Sequence, residues 1–459
     1  MLRTISLILT IGLLILAACT GGKDDTMRFT GARGEVVITT LDPGHFHAAL
    51  VLKTMYDQVD PTVYIFAPDG PDVEDHLRSI NGYNTRAENP TAWIPRVYRG
   101  DDFLDRMVSD KPGNVAVMAG NNRHKTAYIK QAVDAGIHVL ADKPMCINQQ
   151  GFELLKQAFT AAAQNHVLLY DIMTERYEIT TILQKELAMT PEVFGELVPG
   201  TPEEPAVTKE SVHHFFKYVS GSPIKRPAWY FDTTQQGEGI VDVATHLVDL
   251  IQWECFPEQI LDCADIQMVR ARRWPTTVNL AQFSTVTQLS DFPDFLLPFV
   301  ADGVLSVYSN GEFIYKLKGV HAKVSVIWNY QAPPGAGDTH YSIMRGSVAN
   351  IIIRQGKEQN YKPELYVEEV QRDPRFGSTL QKAVAKIALL YPGVTVAEEG
   401  DIWHVSIPQT YHVGHEAHFG QVASRYLDYL VDGKLPDWEV PNMIAKYYTT
   451  TSALQLALQ

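Results

Sequence analysis

Short apolar runs alternate with helical patterns over the first 170 residues. The apolar runs cover residues 35–41, 62–67, 114–119, 137–141 and 167–171. Helical periodicity separates several of them, as in the segments Ala48 to Met55 and Gln150 to Asn165. Strands that are apolar on both faces and alternate with helices are typical of a parallel sheet covered on both sides. The pattern predicts an α/β fold with an N-terminal Rossmann-like, doubly wound parallel sheet over residues 27–170.

The second half of the chain has a different pattern. Apolar and polar residues alternate in 323–328 and 349–354, which favours antiparallel strands with one covered face. Helical periodicity returns at 416–430 and near the C-terminus. Residues 171–459 are therefore predicted to form a C-terminal α+β substrate-binding domain with a largely antiparallel, open-faced sheet. An insertion is expected around Val269–Tyr315.

The N-terminus has the features of an export signal. One arginine precedes the apolar run Ile5–Ala18, which is too short to span a bilayer comfortably. The sequence Leu16-Ala17-Ala18-Cys19 resembles a bacterial lipobox, with Cys19 as the lipidated residue. We expect residues 1–26 to be a lipoprotein signal peptide and tether. The expected location is the bacterial cell envelope, on its periplasmic or outer-surface face, with membrane contact only through the lipid.

Composition excludes some classes of partner. The chain has 459 residues, and 39 Lys and Arg against 53 Asp and Glu give a net charge of −14. Such a surface repels nucleic acid, so no nucleic-acid partner is expected. Beyond the lipobox, Cys146, Cys255 and Cys263 form no CxxC pair, so neither a disulfide framework nor a cysteine zinc site is expected.

Polar residues follow the predicted strands. Ligands of parallel α/β sheets bind at the carboxyl ends of the strands. Those ends carry Asp42, Gly44, His45, Asp69, Asn121, Asn122, Asp142, Lys143 and Asp171.

Another polar pair follows two glycines. After Gly237 and Gly239 the sequence predicts a helix with Asp242 and His246 four residues apart. That spacing places both on one helix face, about 6 Å apart along the axis. A carboxylate beside an imidazole suits proton transfer. The alternative is an aspartate that stabilises the helix start and a histidine that only packs.

Four features in this order resemble the Gfo/Idh/MocA family of sugar and polyol oxidoreductases. They are the strand and turn Leu41 to Gly44, the triplet Asp142-Lys143-Pro144, Arg176, and the segment Gly237 to His246. The longer layout resembles a lipoprotein subgroup with an enlarged C-terminal domain. The resemblance implies NAD or NADP as cofactor and hydride transfer at a CH–OH carbon of a sugar, polyol or glycoside. It also implies a homo-oligomer.

The resemblance implies a role for each matching residue. Lys143 would bind and polarise the substrate oxygen, His246 would be the general acid–base, and Asp242 would contact substrate or orient the histidine. Arg176 would lie near the cleft, as a ligand contact or a structural ion pair. The residues expected around the cofactor are Asp42, Gly44, His45, Phe46, His47, Asp69, Asn121, Asn122 and Asp142.

The phosphate-binding turn departs from the family. Where the family has Gly-x-Gly-x-x-Gly or Ala, this chain has Asp42, Gly44 and His47, with Pro43 between the first two. An acid there repels a pyrophosphate, and proline removes one cradling N–H. His45 and His47 either compensate by donating hydrogen bonds or pack locally. Asp69 either accepts from a ribose hydroxyl or is a turn residue.

Further segments suit a carbohydrate or a metal. Aromatic rings and donors at His213, His214, Trp229 and Tyr230 would fit a sugar, or would pack at an edge strand. The histidines in 411–418 suit either zinc or a helix start that lines the cleft, and we expect no metal. Residues 337–341 are either a loop over the site or a hairpin turn.

Three functional hypotheses follow. The first is an anchored NAD(P)-dependent oxidoreductase of a small carbohydrate. The second is an NAD-dependent glycoside hydrolase with a recycled cofactor, which would suit a compartment where free NAD is scarce. The third is a non-catalytic, surface glycan-binding lipoprotein on a dehydrogenase scaffold.

Overall fold

The computed structural model describes residues 29–219 and 222–459. The predicted signal peptide and Cys19 lie outside these residues, so their prediction is untested. None of the described helices combines the length and apolar character needed to cross a membrane.

The N-terminal domain is built on six parallel strands. These are β1 (Ile38–Leu41), β2 (Thr62–Ala67), β3 (Ile94–Arg99), β4 (Val115–Met118), β5 (His138–Asp142) and β6 (Leu169–Ile172). The helices between them are α1 (His47–Leu50), α2 (Pro71–Thr85), α3 (Phe103–Asp110), α4 (Asn122–Asp134) and α5 (Gln149–Gln164). The strand order β3-β2-β1-β4-β5-β6 confirms the predicted Rossmann-like sheet.

Two local elements differ from the sequence prediction. Strand β3 was not predicted, because it lies at the sheet edge and most of its residues are exposed, so it lacks an apolar run. Helix α1 ends at Leu50 instead of Met55. Beyond it the backbone tightens, since Leu52 N–H donates to Ala49 and Lys53 N–H donates to Leu50, both three residues back.

The C-terminal domain contains a ten-stranded sheet. The strands of this domain, in chain order, are β7 (Val207–Phe216), β8 (Tyr218–Val219), β9 (Ser222–Pro223), β10 (Ile266–Asn279), β11 (Val300–Ala301), β12 (Val304–Leu317), β13 (Val320–Gln331), β14 (Thr339–Arg345), β15 (Ala349–Arg354), β16 (Glu364–Glu369), β17 (Thr395–Glu399) and β18 (Ile402–Ser406). Strands β8 and β9 form a separate two-stranded ribbon, and the other ten form the sheet. Along the order β10-β12-β13-β7-β14-β15-β16-β18-β17, with β11 beside β12, only the β13–β7 pair is parallel. The largely antiparallel sheet is confirmed.

Eight helices of the described chain accompany this sheet. They are α6 (Ile179–Ala188), α7 (Pro191–Phe194), α8 (Thr233–Gln236), α9 (Ala244–Cys255), α10 (Leu280–Thr287), α11 (Phe376–Ile387), α12 (His415–Asp432) and α13 (Glu439–Ala457). The expected insertion at 269–315 is part of the sheet, because β10 and β12 pair along almost their whole length. Helices α12 and α13 also return to the first domain, where Phe419, Tyr426 and Tyr447 join its core.

A buried network of charges joins the two domains. Arg176, just after β6, donates from Nε and Nη2 to both carboxylate oxygens of Asp249 at 2.7 Å, and from Nη1 to Glu439 at 2.8 Å. Lys446 Nζ lies 2.8 Å from both Asp249 and Asp171. All five residues are buried. Of the two alternatives for Arg176, the structural ion pair agrees with the structure, and Arg176 lies outside the lining of the cavity described below.

We expect Asp249→Ala to destabilise the protein strongly. The variant would leave the buried cations of Arg176 and Lys446 without the carboxylate that pairs with both. Removing one partner of a buried ion pair costs about 3–5 kcal/mol of stability. Urea unfolding measures the change, with Asp373→Asn as control, because its pair with Arg375 is exposed and screened by solvent and so contributes little. Equal effects of the two variants would contradict a structural role for the network.

Candidate active site

A cavity of about 1640 Å³ lies between the domains. It is bounded by the carboxyl ends of β1, β4 and β5, the start of α9, the end of β7 and the start of α12. The predicted site residues that line it are His45, Phe46, His47, Asn122, Asp142, Lys143, His213, Tyr230, Asp242 and His246. The predicted site residues outside its lining are Asp42, Gly44, Asp69, Asn121, Arg176, His214 and Trp229.

Lys143 and Asp242 form an ion pair across the cavity wall. Lys143 extends from the end of β5, and its Nζ donates to Asp242 Oδ1 at 2.6 Å. The other oxygen of Asp242 accepts from Gln236 Nε2 at 3.0 Å. Burial alone would raise the pKa of Asp242, but the charge and hydrogen bond of Lys143 outweigh it and lower the pKa. Asp242 is therefore a carboxylate that compensates the ammonium of Lys143.

Asp242 does not share a helix with His246, contrary to the sequence prediction. Helix α9 begins at Ala244, and Asp242 lies in the preceding turns. These turns pack closely against β12, since a Cβ on Gly239 would lie 1.9 Å from the carbonyl oxygen of Ser309. The carboxylate consequently faces Lys143, and its observed hydrogen bonds do not include His246.

His246 lies in the first turn of α9 and faces the cavity. Its Nδ1 is buried and has no hydrogen-bond partner among the described residues. Burial lowers the pKa of His246 to about 4, and the charge of Lys143 acts in the same direction. The imidazole is therefore neutral at pH 7, with a nitrogen available for a substrate hydroxyl.

The loop after β1 uses its backbone N–H groups internally. Asp42 has a left-handed conformation (φ 45°), and the N–H of Gly44 donates to its carbonyl oxygen at 2.9 Å. The N–H of His45 donates to Ala119 at 3.1 Å, and that of His47 to His45 Nδ1 at 3.4 Å. These groups therefore do not form the free cradle that pyrophosphates bind in such folds.

Residues 225–236 of the C-terminal domain, here named the cover segment, lie over this loop. Trp229 Nε1 donates to Asp72 Oδ2 at 2.9 Å, and its ring is 3.2 Å from where a Cβ of Gly44 would be. Asn121 Nδ2 donates to Gln235 at 2.6 Å. Trp229 and Asn121 thus join the domains instead of lining the cavity. Asp69 faces outward, paired with Arg99 at 2.9 Å.

The nicotinamide end of a dinucleotide fits beside Lys143. Asn122 lines the cavity next to Gly120, and its Oδ1 is buried without a partner among the described residues, so it can accept from an amide or a ribose hydroxyl. His45 and Asp142 complete this wall. The N–H groups of Gly44, His45 and His47 are already in use, so they would not hold the phosphates of the cofactor.

A second polar cluster in the cavity wall surrounds Asp338. Asp338 accepts from His213 Nδ1 at 3.0 Å and from His214 Nδ1 at 3.3 Å, and it pairs with Lys217. Burial acts to raise the pKa of Asp338, but these donors outweigh burial and the pKa is lowered. Of the two alternatives for residues 337–341, a loop over the site agrees with the structure, because 337–340 line the cavity.

The sequence analysis assigned no role to three residues that line the cavity, Glu175, Arg226 and Trp328. Glu175 pairs with His415 Nδ1 at 3.2 Å, so His415 does not join the other histidines of 411–418 around a common point. Arg226 lies 4.4 Å from the ring centre of Tyr230 and 5.2 Å from that of Trp328. Glu175 directly precedes Arg176, and its position in the cavity follows from the turn after β6, which no local motif reveals.

Two family profiles match the chain. Residues 72–171 match the family described as "Oxidoreductase family, NAD-binding Rossmann fold", and residues 183–458 match "Putative oxidoreductase C terminal domain". The first match agrees with the predicted cofactor, NAD or NADP. Among proteins with curated descriptions, none matches the sequence.

Solved structures are similar over nearly the whole chain. One is a "putative oxidoreductase" from Parabacteroides merdae ATCC 43184, with 58% identity and a TM-score of 0.92, covering 94% of this chain and 99% of that one. GenD2 from gentamicin A biosynthesis, in complex with NAD, has 16% identity, a TM-score of 0.57 and coverages of 93% and 95%. Levoglucosan dehydrogenase, in complex with NADH, has 12% identity, a TM-score of 0.58 and coverages of 92% and 97%. The last two show a shared fold.

We expect Asp42→Asn to stabilise the protein at neutral pH. Burial, together with the charge of Asp72, raises the pKa of Asp42 to about 6. Folding therefore favours the protonated form, and the ionised carboxylate costs stability above pH 6. The gain in the variant should be of the order of 2 kcal/mol at pH 7.5 and should vanish as the pH falls to about 4. Asparagine also tolerates the left-handed backbone.

Urea unfolding at both pH values measures this effect. The exposed Asp101→Asn is the matched control and should change little at either pH. A gain that does not depend on pH would show that the Asp42 charge is not its cause.

Proposed function

The chain belongs to the Gfo/Idh/MocA family of oxidoreductases, and on this premise we propose that it transfers hydride at a CH–OH carbon of a sugar, polyol or glycoside. The observation that carries the proposal is the Lys143–Asp242 ion pair at 2.6 Å beside the neutral His246 in the same cavity. A cation and a neutral base next to each other are what the removal of a hydroxyl proton requires.

Lys143 would bind the substrate oxygen. An ammonium has three donors, and one is used by Asp242, so the others can reach an oxygen in the cavity. Its positive charge would stabilise negative charge that develops on that oxygen. Asp242 would hold Lys143 in place through their ion pair.

His246 would take the hydroxyl proton as the hydride leaves the carbon, and return it in the reverse direction. When bound, NAD(P)⁺ supplies the hydride acceptor, so the carbon loses a hydride and the oxygen a proton. Gly120 and Asn122 would hold the nicotinamide end of the cofactor beside Lys143.

Two observations support a carbohydrate as the substrate class. Levoglucosan dehydrogenase shares the fold. The cavity also combines donors with aromatic faces, since Tyr230 and Trp328 line it near Arg226 and His213. Such walls suit the polar edges and apolar faces of sugar rings.

The second candidate is redox-assisted cleavage of a glycoside with a recycled cofactor. The contact that favours it is Glu175–His415 at 3.2 Å, a further pair of proton-transfer groups in the cavity. A transient ketone would acidify the neighbouring C–H bond, and elimination would need one group to take that proton and one to protonate the leaving oxygen. Anchoring at Cys19 in the cell envelope, which we also propose, would make retention of the cofactor an advantage.

We expect His246→Ala to lower turnover by about 10²–10⁴-fold while the substrate dissociation constant changes little. The loss follows from removing the proton acceptor without removing Lys143. Turnover of NAD(P)-loaded protein with a panel of sugars and glycosides measures it. The control is His412→Ala, which changes another histidine of the cavity wall. Unchanged turnover in His246→Ala would exclude this residue from the mechanism.

We expect Glu175→Gln to separate the two candidate reactions. If the protein is a simple oxidoreductase, the variant still forms reduced cofactor and ketone in equal amounts. If it cleaves glycosides, the wild type releases the leaving group without accumulating reduced cofactor, and the variant loses that release. Simultaneous assay of reduced cofactor and leaving group distinguishes these results. Glycan binding without either product would favour the non-catalytic hypothesis.

A further inference from the structure

Three metal-ligating side chains meet at the carboxyl edge of the N-terminal sheet. His45 and His47 belong to the loop after β1, and Asp142 ends β5. Strands β1 and β5 flank β4, so their ends are about 10 Å apart, and the loop crosses this gap. All three residues line the cavity.

The ligand atoms are close enough to share one ion. His47 Nδ1 lies 2.9 Å and His45 Nδ1 3.9 Å from Asp142 Oδ2. One nitrogen of each histidine and one oxygen of Asp142 all lie within 4.8 Å of one another, and no other such group of three occurs among the described residues. Metal–ligand distances of about 2.0–2.2 Å would bring such atoms about 3 Å apart, which needs only small side-chain movements.

We propose that His45, His47 and Asp142 bind one divalent transition-metal ion. Two imidazoles and one carboxylate are a ligand set of zinc and of iron(II) enzymes, and they leave coordination positions open. Because the three residues form part of the cavity wall, these positions face the cavity, where they would take oxygen donors. This site is separate from the histidines of 411–418, for which the sequence had suggested zinc as an alternative.

The charges around Asp142 permit a cation. Among the described ion pairs, its carboxylate contacts only the two histidines. The neighbouring Lys125 donates to the main-chain oxygen of Asp142 at 3.1 Å, and the charge of Lys143 is compensated by Asp242. The carboxylate therefore lacks a direct cationic side-chain partner of its own, apart from the histidines.

The histidine rings are also held in place. His47 packs 4.6 Å from the ring centre of Phe419 and 4.0 Å from that of His45. Ligands whose positions are restrained by packing bind a metal with less loss of conformational freedom.

The test uses the full chain in detergent, stripped with a chelator and titrated with Co²⁺ or Zn²⁺ by calorimetry. We expect one ion per chain, and a loss of affinity of at least about tenfold in His45→Gln and in His47→Gln, with circular dichroism to confirm folding. His412→Gln is the control and should bind like the wild type. No binding by the wild type, or binding that both variants retain, would overturn the proposal.

A second measurement needs no variant. X-ray absorption of the zinc-loaded wild type should show two imidazole ligands, and fewer than two would contradict the proposed site. Because the metal alone is the probe, the result does not depend on whether the protein oxidises a sugar.

Discussion

The buried contact between Arg176 and Asp249 determines where the reactive groups lie. Asp249 is three residues beyond His246, so the ion pair holds the same turn of α9 that presents the imidazole. Arg176 follows β6, and β6 pairs with β5, which ends next to Lys143. Lys446 adds α13 to the network through Asp249. Buried charges thus tie helix α9 to the strands beside β5, which supports the 2.6 Å contact between Lys143 and Asp242.

At the carboxyl edge of the parallel sheet, the loop after β1 is arranged differently from the usual dinucleotide-binding turn. In folds of this type the edge above β1 receives a pyrophosphate on free N–H groups. Here the cover segment brings Trp229 onto Gly44, and the N–H groups of Gly44 and His45 donate to the carbonyl oxygens of Asp42 and Ala119. The cavity is lined next to this loop by His45 and His47. A cofactor phosphate or another oxyanion in the cavity would meet side chains, and the lining includes the cationic Lys53 and Arg86.

Most of the Rossmann domain was predictable, because buried parallel strands have continuous apolar runs and their ends are marked by polar residues. Strand β3 was missed since it is exposed and has no such run. Lys143 followed from its triplet, whereas the position of Asp242 before α9 depends on the packing of Gly239 against Ser309 in β12. The interdomain contacts of Trp229 and Asn121 were not foreseen for the same reason, because contacts made across more than 100 residues leave no local pattern. The sequence likewise did not indicate that the side chains of Asp142, His45 and His47 lie close together.

The electrostatics of the cavity favour one direction of proton transfer. Burial and the charge of Lys143 both act against a proton on His246, and Glu175 is the opposing charge that favours it. An imidazole with a pKa near 4 is almost entirely neutral at pH 7, so it is in the form that accepts a hydroxyl proton and rarely in the form that protonates a ketone. Each unit of lowered pKa makes loss of the proton more favourable by about 1.4 kcal/mol. A proton that His246 takes from a substrate hydroxyl would therefore pass on readily to solvent or to another acceptor, which returns the imidazole to its neutral form for the next turnover.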